Sequence, residues 1–397
     1  MRIAVIGAGP GGLYTASLVK RLLPGHEVDV WERDAADETF GFGVVFSDGA
    51  LGGIEAADPV LFASITAEFA RWSRIDVRHR GRTTRNEGYG FSAISRRVLL
   101  SLLRRRCAAL GVTLRFRTPA PDPARLAEAY DLVVAADGVN SATRTRYSDA
   151  FGTEREIRGA RYMWLGTDLV LDALTFAVAE TEFGPVQAHA YPYAPGRGTF
   201  IVEVNEDVWH AAGFERTAAA PLDGGGSDTV GIERVGHFFA DFLRGHSLEG
   251  NKSRWGRFAV VRNRRWSHRN IALLGDSAHT THFSIGSGTK LAMEDALDLA
   301  LALREHGTVP EALAAYEAER KPAVDRMQGT ALASLEWFEE IDRCVGFEPE
   351  VFNAHLLTRS GRIGRQDLPS HSAERIRLIR DRFEGADEPP SRVPSAG

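Results

Sequence analysis

Residues 2–23 read RIAVIGAGPGGLYTASLVKRLL. A short run rich in Ile and Val ends at Gly7, and leucine and alanine then recur at helical spacing from residue 10 to residue 23. A second strand pattern, at residues 27–31, follows directly. This order of strand, turn, helix and strand is a βαβ unit, and it predicts an α/β fold built on a parallel, doubly wound (Rossmann-like) sheet.

The turn between the first strand and the helix, GAGPGG at residues 7–12, matches the fingerprint GxGxxG. Gly7 allows the tight turn, Gly9 lets backbone N–H groups approach a pyrophosphate, and Gly12 permits close packing of helix on strand. Glu32 ends the second strand, where a carboxylate accepts hydrogen bonds from a ribose. The fingerprint predicts a dinucleotide site but does not separate NAD from FAD. The residues predicted to bind the dinucleotide here are Gly7, Gly9, Gly11, Gly12, Glu32 and Arg33.

The composition is that of an ordinary globular protein. Its 397 residues, 44% hydrophobic and 25% charged, suffice for two closely joined domains. A formal net charge of -5 gives no basic field, so we expect a small-molecule partner and neither nucleic acid nor membrane. With no long apolar run and no signal-peptide pattern, a cytoplasmic location is predicted. Cys107 and Cys344 have no metal-ligand spacing, so no metal is expected and redox chemistry requires a bound cofactor.

The sequence pattern changes twice after the first βαβ unit. Residues 96–110 are predicted as a long helix and residues 131–136 as a buried strand. Alternating, β-rich runs between residues 156 and 261 predict an inserted antiparallel sheet, and a buried-strand pattern returns at residues 271–274 before further helices. The predicted divisions are a discontinuous dinucleotide-binding domain at 1–155 and 262–345, a substrate-binding β-sheet domain at 156–261, a C-terminal helical segment at 346–384 and a disordered tail at 385–397.

Two later segments carry adjacent aspartate and glycine. DLVVAADGVNS, residues 131–141, places Asp137 and Gly138 at the carboxyl end of a predicted strand, where a doubly wound sheet contacts its ligand. GDSAH, residues 275–279, follows the later strand in the same way. Together with GxGxxG, these segments resemble the three motifs of the group A flavin monooxygenases, the p-hydroxybenzoate hydroxylase family. The resemblance implies that the dinucleotide is FAD and that Asp276 contacts its ribityl chain.

The resemblance extends to other contacts with FAD. Arg96, which opens the long helix, matches the arginine that reaches the FAD phosphates in this family. The glycine-rich stretch at residues 286–288 precedes a helix whose N-terminus faces the flavin in the family, where a helix dipole stabilises negative charge on the reduced ring. The cofactor-binding residues predicted in this part of the chain are Arg96, Asp137, Gly138, Asp276, Gly286, Gly288 and Thr289.

Longer segments resemble one branch of the family. They are TFGFGVVFSD at residues 39–48, HAY at 189–191 with TFIVE at 199–203, and HFSIGSGTKLAMEDA at 282–296. These are similar to salicylyl-CoA 5-hydroxylase and to the monooxygenase half of 2-aminobenzoyl-CoA monooxygenase/reductase, and more distantly to the tryptophan hydroxylase of violacein biosynthesis. The resemblance implies 5-hydroxylation of salicylyl-CoA to gentisyl-CoA with NADH or NADPH and O2, through a flavin C4a-hydroperoxide.

Candidate catalytic residues come from the same segments. His282 and Phe283 stand where the family usually has Pro-Pro, and His282 is a candidate acid or base beside the ring. The inserted sheet covers the flavin in the family, so its polar aromatic residues are candidates to bind the ring substituent, although packing on an alternating strand is the competing interpretation. The predicted catalytic residues are His189, Tyr191, His282 and Phe283, and the predicted substrate-binding residues are Phe46, Tyr193, Arg262 and Arg265.

Arg262 and Arg265 belong to the densest basic stretch of the chain, residues 254–269. This stretch has two interpretations: it binds the phosphates of CoA, or it is a solvated loop. Other substrates remain open, namely 2-aminobenzoyl-CoA, a carrier-bound aromatic acid and a tryptophan or indole. An FAD-dependent reductase and a non-catalytic protein with the same fold are the alternatives from other classes. The sequence does not distinguish NADH from NADPH or determine the oligomeric state.

Overall fold

The computed structural model describes residues 1–47, 52–219, 222 and 224–361. The strands in these ranges are β1 (Arg2–Ile6), β2 (Glu27–Trp31), β3 (Gly43–Ser47), β4 (Ala70–His79), β5 (Arg82–Ser95), β6 (Thr113–Arg115), β7 (Leu132–Ala135), β8 (Thr153–Thr167), β9 (Leu174–Thr181), β10 (Gly184–Ala194), β11 (Arg197–Val204), β12 (Leu248–Gly250), β13 (Gly256–Asn263), β14 (Ser267–His268) and β15 (Ile271–Leu273).

The helices are α1 (Pro10–Leu22), α2 (Gly52–Ala57), α3 (Pro59–Ala67), α4 (Arg96–Ala109), α5 (Pro123–Ala129), α6 (Ala142–Arg146), α7 (Ser148–Phe151), α8 (Glu206–Ala211), α9 (Phe214–Ala218), α10 (Thr229–Phe238), α11 (Ala240–Leu243), α12 (Gly288–Glu305), α13 (Val309–Glu339), α14 (Asp342–Val345) and α15 (Pro349–Thr358). Two 3₁₀ turns, Gly275–Ser277 and Phe283–Ile285, lie between β15 and α12.

The first sheet is the predicted doubly wound one. Its strand order is β14-β15-β7-β1-β2-β6, and every pair is parallel except β14 with β15. The central strands are apolar throughout because helices cover both faces, as expected for a parallel sheet. Helix α1 packs against α12, the helix that comes after β15. The two helices are therefore neighbours in space although the whole inserted sheet separates them along the chain. The predicted discontinuity of this half of the fold follows from that contact.

The second sheet has the order β12-β8-β11-β10-β9-β4-β5-β3, with β13 paired to β8. Its pairs are antiparallel except for β4 with β9. Strands β3, β4 and β5 come from residues 43–95, which the sequence-based division assigned entirely to the first domain. They nevertheless pair into the second sheet, which a local pattern does not reveal, because it identifies a strand but not a partner strand some 100 residues away. The domain bounds themselves stay a prediction.

The second sheet has two different faces. On β8, Met163 and Leu165 point outward into a hydrophobic cluster with helices α8 to α11, whereas Tyr162 and Trp164 point to the opposite, inner face. The inner face meets the first half of the fold, the Phe283–Ile285 turn and the C-terminal end of α13. This alternation therefore presents a row of aromatic and polar side chains to the middle of the molecule.

Helix α15 is the part of the predicted C-terminal segment that the structure contains, and the predicted tail at 385–397 lies outside the described residues. Among the helices that are described, none combines the length and the apolar character needed to cross a lipid bilayer.

Candidate active site

A cavity of about 490 Å³ lies where the carboxyl ends of the parallel strands face the inner side of the second sheet. Both its position and its size are typical of small-molecule sites in α/β proteins. We call its two sides the cofactor wall and the sheet wall. The cofactor wall consists of residues 9–12, 138–140, 274–276 and 286–289 with Arg96. The sheet wall consists of Val45, Tyr162, Trp164, Tyr191, Ile201 and Phe283.

The turn at residues 7–12 shapes the cofactor wall by close backbone packing. Gly7 has φ +100°, and a Cβ there would lie 2.4 Å from the carbonyl oxygen of Ala136. A Cβ at Gly12 would lie 2.1 Å from the carbonyl oxygen of Gly7. At Gly9, by contrast, no atom lies within 4 Å of the added Cβ. The turn thus requires glycine for packing at two positions and exposes bare backbone to the cavity at a third, which fits a pyrophosphate.

Glu32 lies beside this turn but outside the cavity lining. Its Oε2 accepts a hydrogen bond of 2.8 Å from the N–H of Ala8, and its Oε1 one of 3.0 Å from the N–H of Asp34. A carboxylate has further lone pairs for a ribose hydroxyl, so this position fits the predicted role. Arg33, which was also predicted to bind the dinucleotide, lies outside the cavity lining. Its side chain is 79% exposed and pairs with Asp34.

Arg96 projects from the first turn of α4 into the cavity. Its Nε donates a hydrogen bond of 3.2 Å to the hydroxyl of Thr39. Burial lowers the pKa of this guanidinium, and the charge of Asp276 partly opposes that effect. A partly buried cation is stabilised by an anionic ligand, so Arg96 is suited to a phosphate of FAD.

Asp137 keeps one carboxylate oxygen unused. Its Oδ2 accepts hydrogen bonds of 3.3 Å from the backbone N–H and the hydroxyl of Thr143. Its Oδ1 is buried and has no hydrogen-bond partner within the described ranges. The adjacent Gly138, with φ +77°, has open space where a Cβ would stand. An orphaned buried acceptor beside bare backbone fits a hydroxyl-bearing ligand.

Asp276 lies on a loop that is fixed from behind. Asp295 of α12 accepts hydrogen bonds from the N–H of Gly275 at 3.1 Å and from the ring of His279 at 2.7 Å. Arg144 adds a hydrogen bond of 3.1 Å to the carbonyl of Ser277. The Asp276 side chain itself faces the cavity, and its depth in the molecule raises the pKa of the carboxyl. The loop therefore fixes this carboxylate at the cavity, where it is suited to accept hydrogen bonds from ribityl hydroxyls, and the residues of the cofactor wall fit FAD.

The sheet wall is aromatic and centres on Phe283. The ring of Phe283 lies 5.0 Å from that of Tyr162 and 5.6 Å from that of Trp164, between centroids. Tyr191 donates its hydroxyl to the carbonyl of Gly43 at 3.0 Å, and burial raises its pKa to about 12. The wall can thus bind a flat ring and exclude water. Sequence reasoning missed Tyr162 and Trp164, although their two-residue spacing on a predicted strand was the available signal.

His189 and His282 lie directly behind Phe283 and not in the cavity lining. Both are at least 97% buried. Burial, together with the charges of Arg359 and His282, holds the pKa of His189 well below its ordinary value. The Nε2 atom of His282 lies 3.2 Å from Oε1 of Glu203, a residue that was not singled out from the sequence.

Four predicted substrate-binding residues do not reach the cavity. Phe46 is in the hydrophobic core, because alternation on β3 turns Val45 to the cavity instead. Tyr193 packs against Gly43 at the start of β3. Arg262 and Arg265 lie on and after β13, outside the lining, whereas the exposed Arg155 and Arg257 are on the cavity rim.

Comparison with known sequences gives a consistent result. A family profile described as an FAD binding domain matches residues 110–331. Salicyloyl-CoA 5-hydroxylase of a Streptomyces species is 47% identical over 364 residues, which are 91% of this chain and 70% of that protein. The 3-hydroxy-4-methyl-anthranilyl-[aryl-carrier protein] 5-monooxygenase of Streptosporangium sibiricum is 40% identical over 94% of this chain and 98% of that protein.

Comparison with solved structures supports the fold alone. The tetrameric form of 2-methyl-3-hydroxypyridine-5-carboxylic acid oxygenase superimposes with a TM-score of 0.69 at 20% identity, over 90% of this chain and 95% of that one.

Proposed function

This chain belongs to the FAD-dependent aromatic monooxygenases, and on that premise we propose that it hydroxylates an aromatic acid carried as a thioester, with NADH or NADPH and O2 as co-substrates. Salicylyl-CoA is the leading substrate and gentisyl-CoA the product, because the Streptomyces relative, at 47% identity, is named for that 5-hydroxylation. The observation that carries the proposal is a cavity in which the predicted FAD-binding motifs face an aromatic sheet wall.

The residues of the chain bind and orient. FAD, when bound, supplies the reduction by NAD(P)H and the activation of O2. Asp276 and Arg96 would hold the cofactor on one wall, and the N-terminus of α12, which lines the same wall, would stabilise negative charge on the reduced flavin. Phe283, Tyr162 and Trp164 bind the substrate ring on the other wall and exclude water, which favours oxygen transfer over loss of the activated oxygen.

A thioester arm needs a path out of the cavity, and the rim supports one. Phe40 lines the cavity and is 47% exposed, and Asn251 fixes its loop by donating to the carbonyls of Thr39 and Gly41. Arg155 and Arg257 are exposed on the same rim and are suited to the phosphates of a pantetheine-based arm. These two replace Arg262 and Arg265 in the proposal.

A carrier-protein thioester is the second candidate. The Streptosporangium relative acts, by its name, on an aryl-carrier protein, and this chain matches 98% of its length against 70% of the CoA-dependent relative. The same cavity and rim serve both candidates, because CoA and carrier proteins present the acyl group on the same phosphopantetheine arm.

The test is substrate-stimulated NADH oxidation with product identification. Salicylyl-CoA is compared with salicylate, 2-aminobenzoyl-CoA, tryptophan and a salicylyl-carrier protein. We expect the thioesters to stimulate turnover and O2 consumption to match product. Stimulation by tryptophan alone contradicts the thioester proposal, and NADH oxidation without O2 consumption indicates a reductase.

A further inference from the structure

Trp164 carries a hydrogen-bond donor that the protein itself leaves unused in the candidate active site. Its indole lines the cavity, and its Nε1 atom is buried without a hydrogen-bond partner among the described residues. Ile201, which is opposite Trp164 on β11 and also lines the cavity, offers only an apolar side chain. A buried N–H without an acceptor destabilises a protein, so an orphaned donor in a cavity wall indicates an acceptor on the ligand.

The indole stands at the junction between the ring-binding part of the cavity and its mouth. On the inner side, its ring centroid lies 5.6 Å from that of Phe283, at the centre of the sheet wall. On the outer side, it lies 6.4 Å from that of Phe40, which is 47% exposed. A Cβ added to Gly41, the next residue of this loop, would lie 3.8 Å from Nε1. The N–H group is therefore beside the loop that forms the mouth.

The position of this donor is fixed by its surroundings. Ser253 is fully buried and donates its hydroxyl to the backbone carbonyl of Trp164. Asn251 donates to the carbonyls of Thr39 and Gly41, which holds the loop beside the indole. A donor that is already in place loses little conformational entropy when a ligand binds, so one hydrogen bond here can contribute to selectivity.

The sheet wall around this donor carries no charge. Burial raises the pKa of Tyr191 to about 12 and also raises the pKa of Tyr162, so both phenols stay protonated near neutral pH. Among the described residues, the arginines of the lining are Arg96 on the cofactor wall and Arg155 and Arg257 on the exposed rim. A free carboxylate placed against the sheet wall has no cation on that wall to pair with, whereas a neutral carbonyl needs only one donor.

We propose that the indole N–H of Trp164 donates a hydrogen bond to the carbonyl oxygen of the substrate thioester, and that this contact selects neutral acyl derivatives over the free aromatic acid. This inference rests on the proposed function and deepens it. With the carbonyl at Nε1, the ring lies inward against Phe283, and the sulfur and its arm point outward past Phe40. CoA and carrier-protein thioesters share this carbonyl, so the contact serves both.

The contact also orients the ring. Stacking on an aromatic wall leaves a flat ring free to rotate in its own plane, whereas a hydrogen bond to one substituent fixes that rotation. Trp164 is therefore a specificity-determining residue that decides which edge of the ring is turned to the cofactor wall.

The experiment compares two CoA ligands that differ only at this carbonyl. Salicylyl-CoA and S-(2-hydroxybenzyl)-CoA, the thioether in which a methylene replaces the carbonyl, are titrated into the FAD-loaded enzyme without NADH. In W164F we expect the Kd of the thioester to rise roughly 3- to 10-fold more than the Kd of the thioether, as for one lost hydrogen bond. The ring, its hydroxyl and the arm are the same in both ligands. Equal weakening of the two therefore means a lost packing contact and overturns the proposal.

W72F is the matched control for this substitution. Trp72 is on the same sheet, stacks on Tyr191 and has a buried Nε1 without a partner among the described residues, but it does not line this cavity. We expect W72F to leave the ratio of the two Kd values at its wild-type value. Selective loss of the thioester in W72F overturns the assignment, because an indole outside the cavity would then have the same effect.

A vibrational measurement reports the hydrogen bond directly. With an isotope label in the thioester carbonyl, the infrared difference spectrum should place the carbonyl band of bound salicylyl-CoA at lower wavenumber than in an aprotic solvent. In W164F the band should move to higher wavenumber. If W164F does not hold FAD, the wild type alone decides the matter, since a band at the aprotic position overturns the proposal.

The preference for a neutral acyl group is tested with two ligands that lack the arm. We expect the wild type to bind salicylamide at least about fivefold more tightly than salicylate, because the carboxylate is desolvated without a cation. Equal or tighter binding of salicylate overturns the selectivity. A salicylyl-carrier protein, titrated in the same way, shows by its Kd against salicylyl-CoA which carrier the enzyme uses. Failure of the wild type to bind any of the thioesters contradicts the proposed function instead.

Discussion

The cofactor wall and the sheet wall face each other across one cavity but are built in opposite ways. The cofactor wall is made of short turns in which the backbone itself lines the cavity, as at Gly9 and Gly138. The sheet wall is made of single side chains from four separate strands and a turn, as with Tyr162, Tyr191 and Phe283. A backbone-built wall suits a ligand common to a whole family. In a wall built from side chains, a single substitution can change which substrate is bound.

The largest expected effect is on the backbone of the cofactor wall. Gly12→Val places a side chain against the carbonyl of Gly7, and we expect it to lower the free energy of unfolding of the apoprotein by about 3 kcal/mol. In Gly9→Ala the added Cβ stands in open space, so we expect the free energy of unfolding to change by less than about 0.5 kcal/mol. The affinity for FAD should nevertheless fall. Urea denaturation and FAD titration measure the two effects. Equal stability of the two variants contradicts this view of the turn.

The next largest effect is a loss of FAD binding without a loss of folding. Asp276→Ala removes the carboxylate proposed to bind the ribityl chain, and FAD affinity should fall about 10- to 100-fold, as for a lost hydrogen bond to a charged group. The protein should then purify largely colourless. Asp325→Ala, which removes an exposed partner of Lys321 on α13, is the control and should stay yellow. Full flavin absorbance in Asp276→Ala rules out the assigned role.

For a substitution in the sheet wall we expect less product per NADH oxidised, with no loss of bound FAD. Phe283→Leu keeps an apolar side chain but loses the aromatic contacts with Tyr162 and Trp164. The KM for the thioester should rise about tenfold, as for a lost fit in an apolar pocket, and less product should form per NADH. Phe183→Leu, on the outer face of the sheet, serves as control. A colourless Phe283→Leu enzyme would mean that the two walls are not separable.

The smallest effect tests the rim. Reversing both Arg155 and Arg257 to glutamate should raise the KM for salicylyl-CoA about fivefold, with a dependence on salt, because exposed charges contribute at most about 1 kcal/mol each. The same reversal at Arg262 and Arg265 should leave the KM unchanged, since neither lines the cavity. The opposite outcome would favour the sequence-based choice of arginines over the structural one.

The misplaced predictions share one physical cause. Phe46 and Val45 are neighbours on β3, and only the register of that strand decides which one faces the cavity. In the basic run at residues 254–269, the sequence likewise does not tell which arginine side chains face the cavity. The pairing of β13 with β8 decides this, and it places Arg257 on the rim and Arg262 outside the lining. Glu203 was hidden for the same reason, because its histidine partners come from β10 and from the turn before α12.

The sequence by itself determined the doubly wound half of the fold and the presence of a dinucleotide site, and its resemblance to the flavin monooxygenases identified the dinucleotide as FAD. These features depend on local rules, since a glycine turn after a strand, or an aspartate at a strand end, requires only its immediate neighbours. Only the tertiary structure decided that strands within residues 43–95 complete the second sheet and that Tyr162, not Phe46, faces the cavity. It also decided which buried carboxylate meets His282. Strand pairing between distant segments sets all three, and no local pattern encodes it.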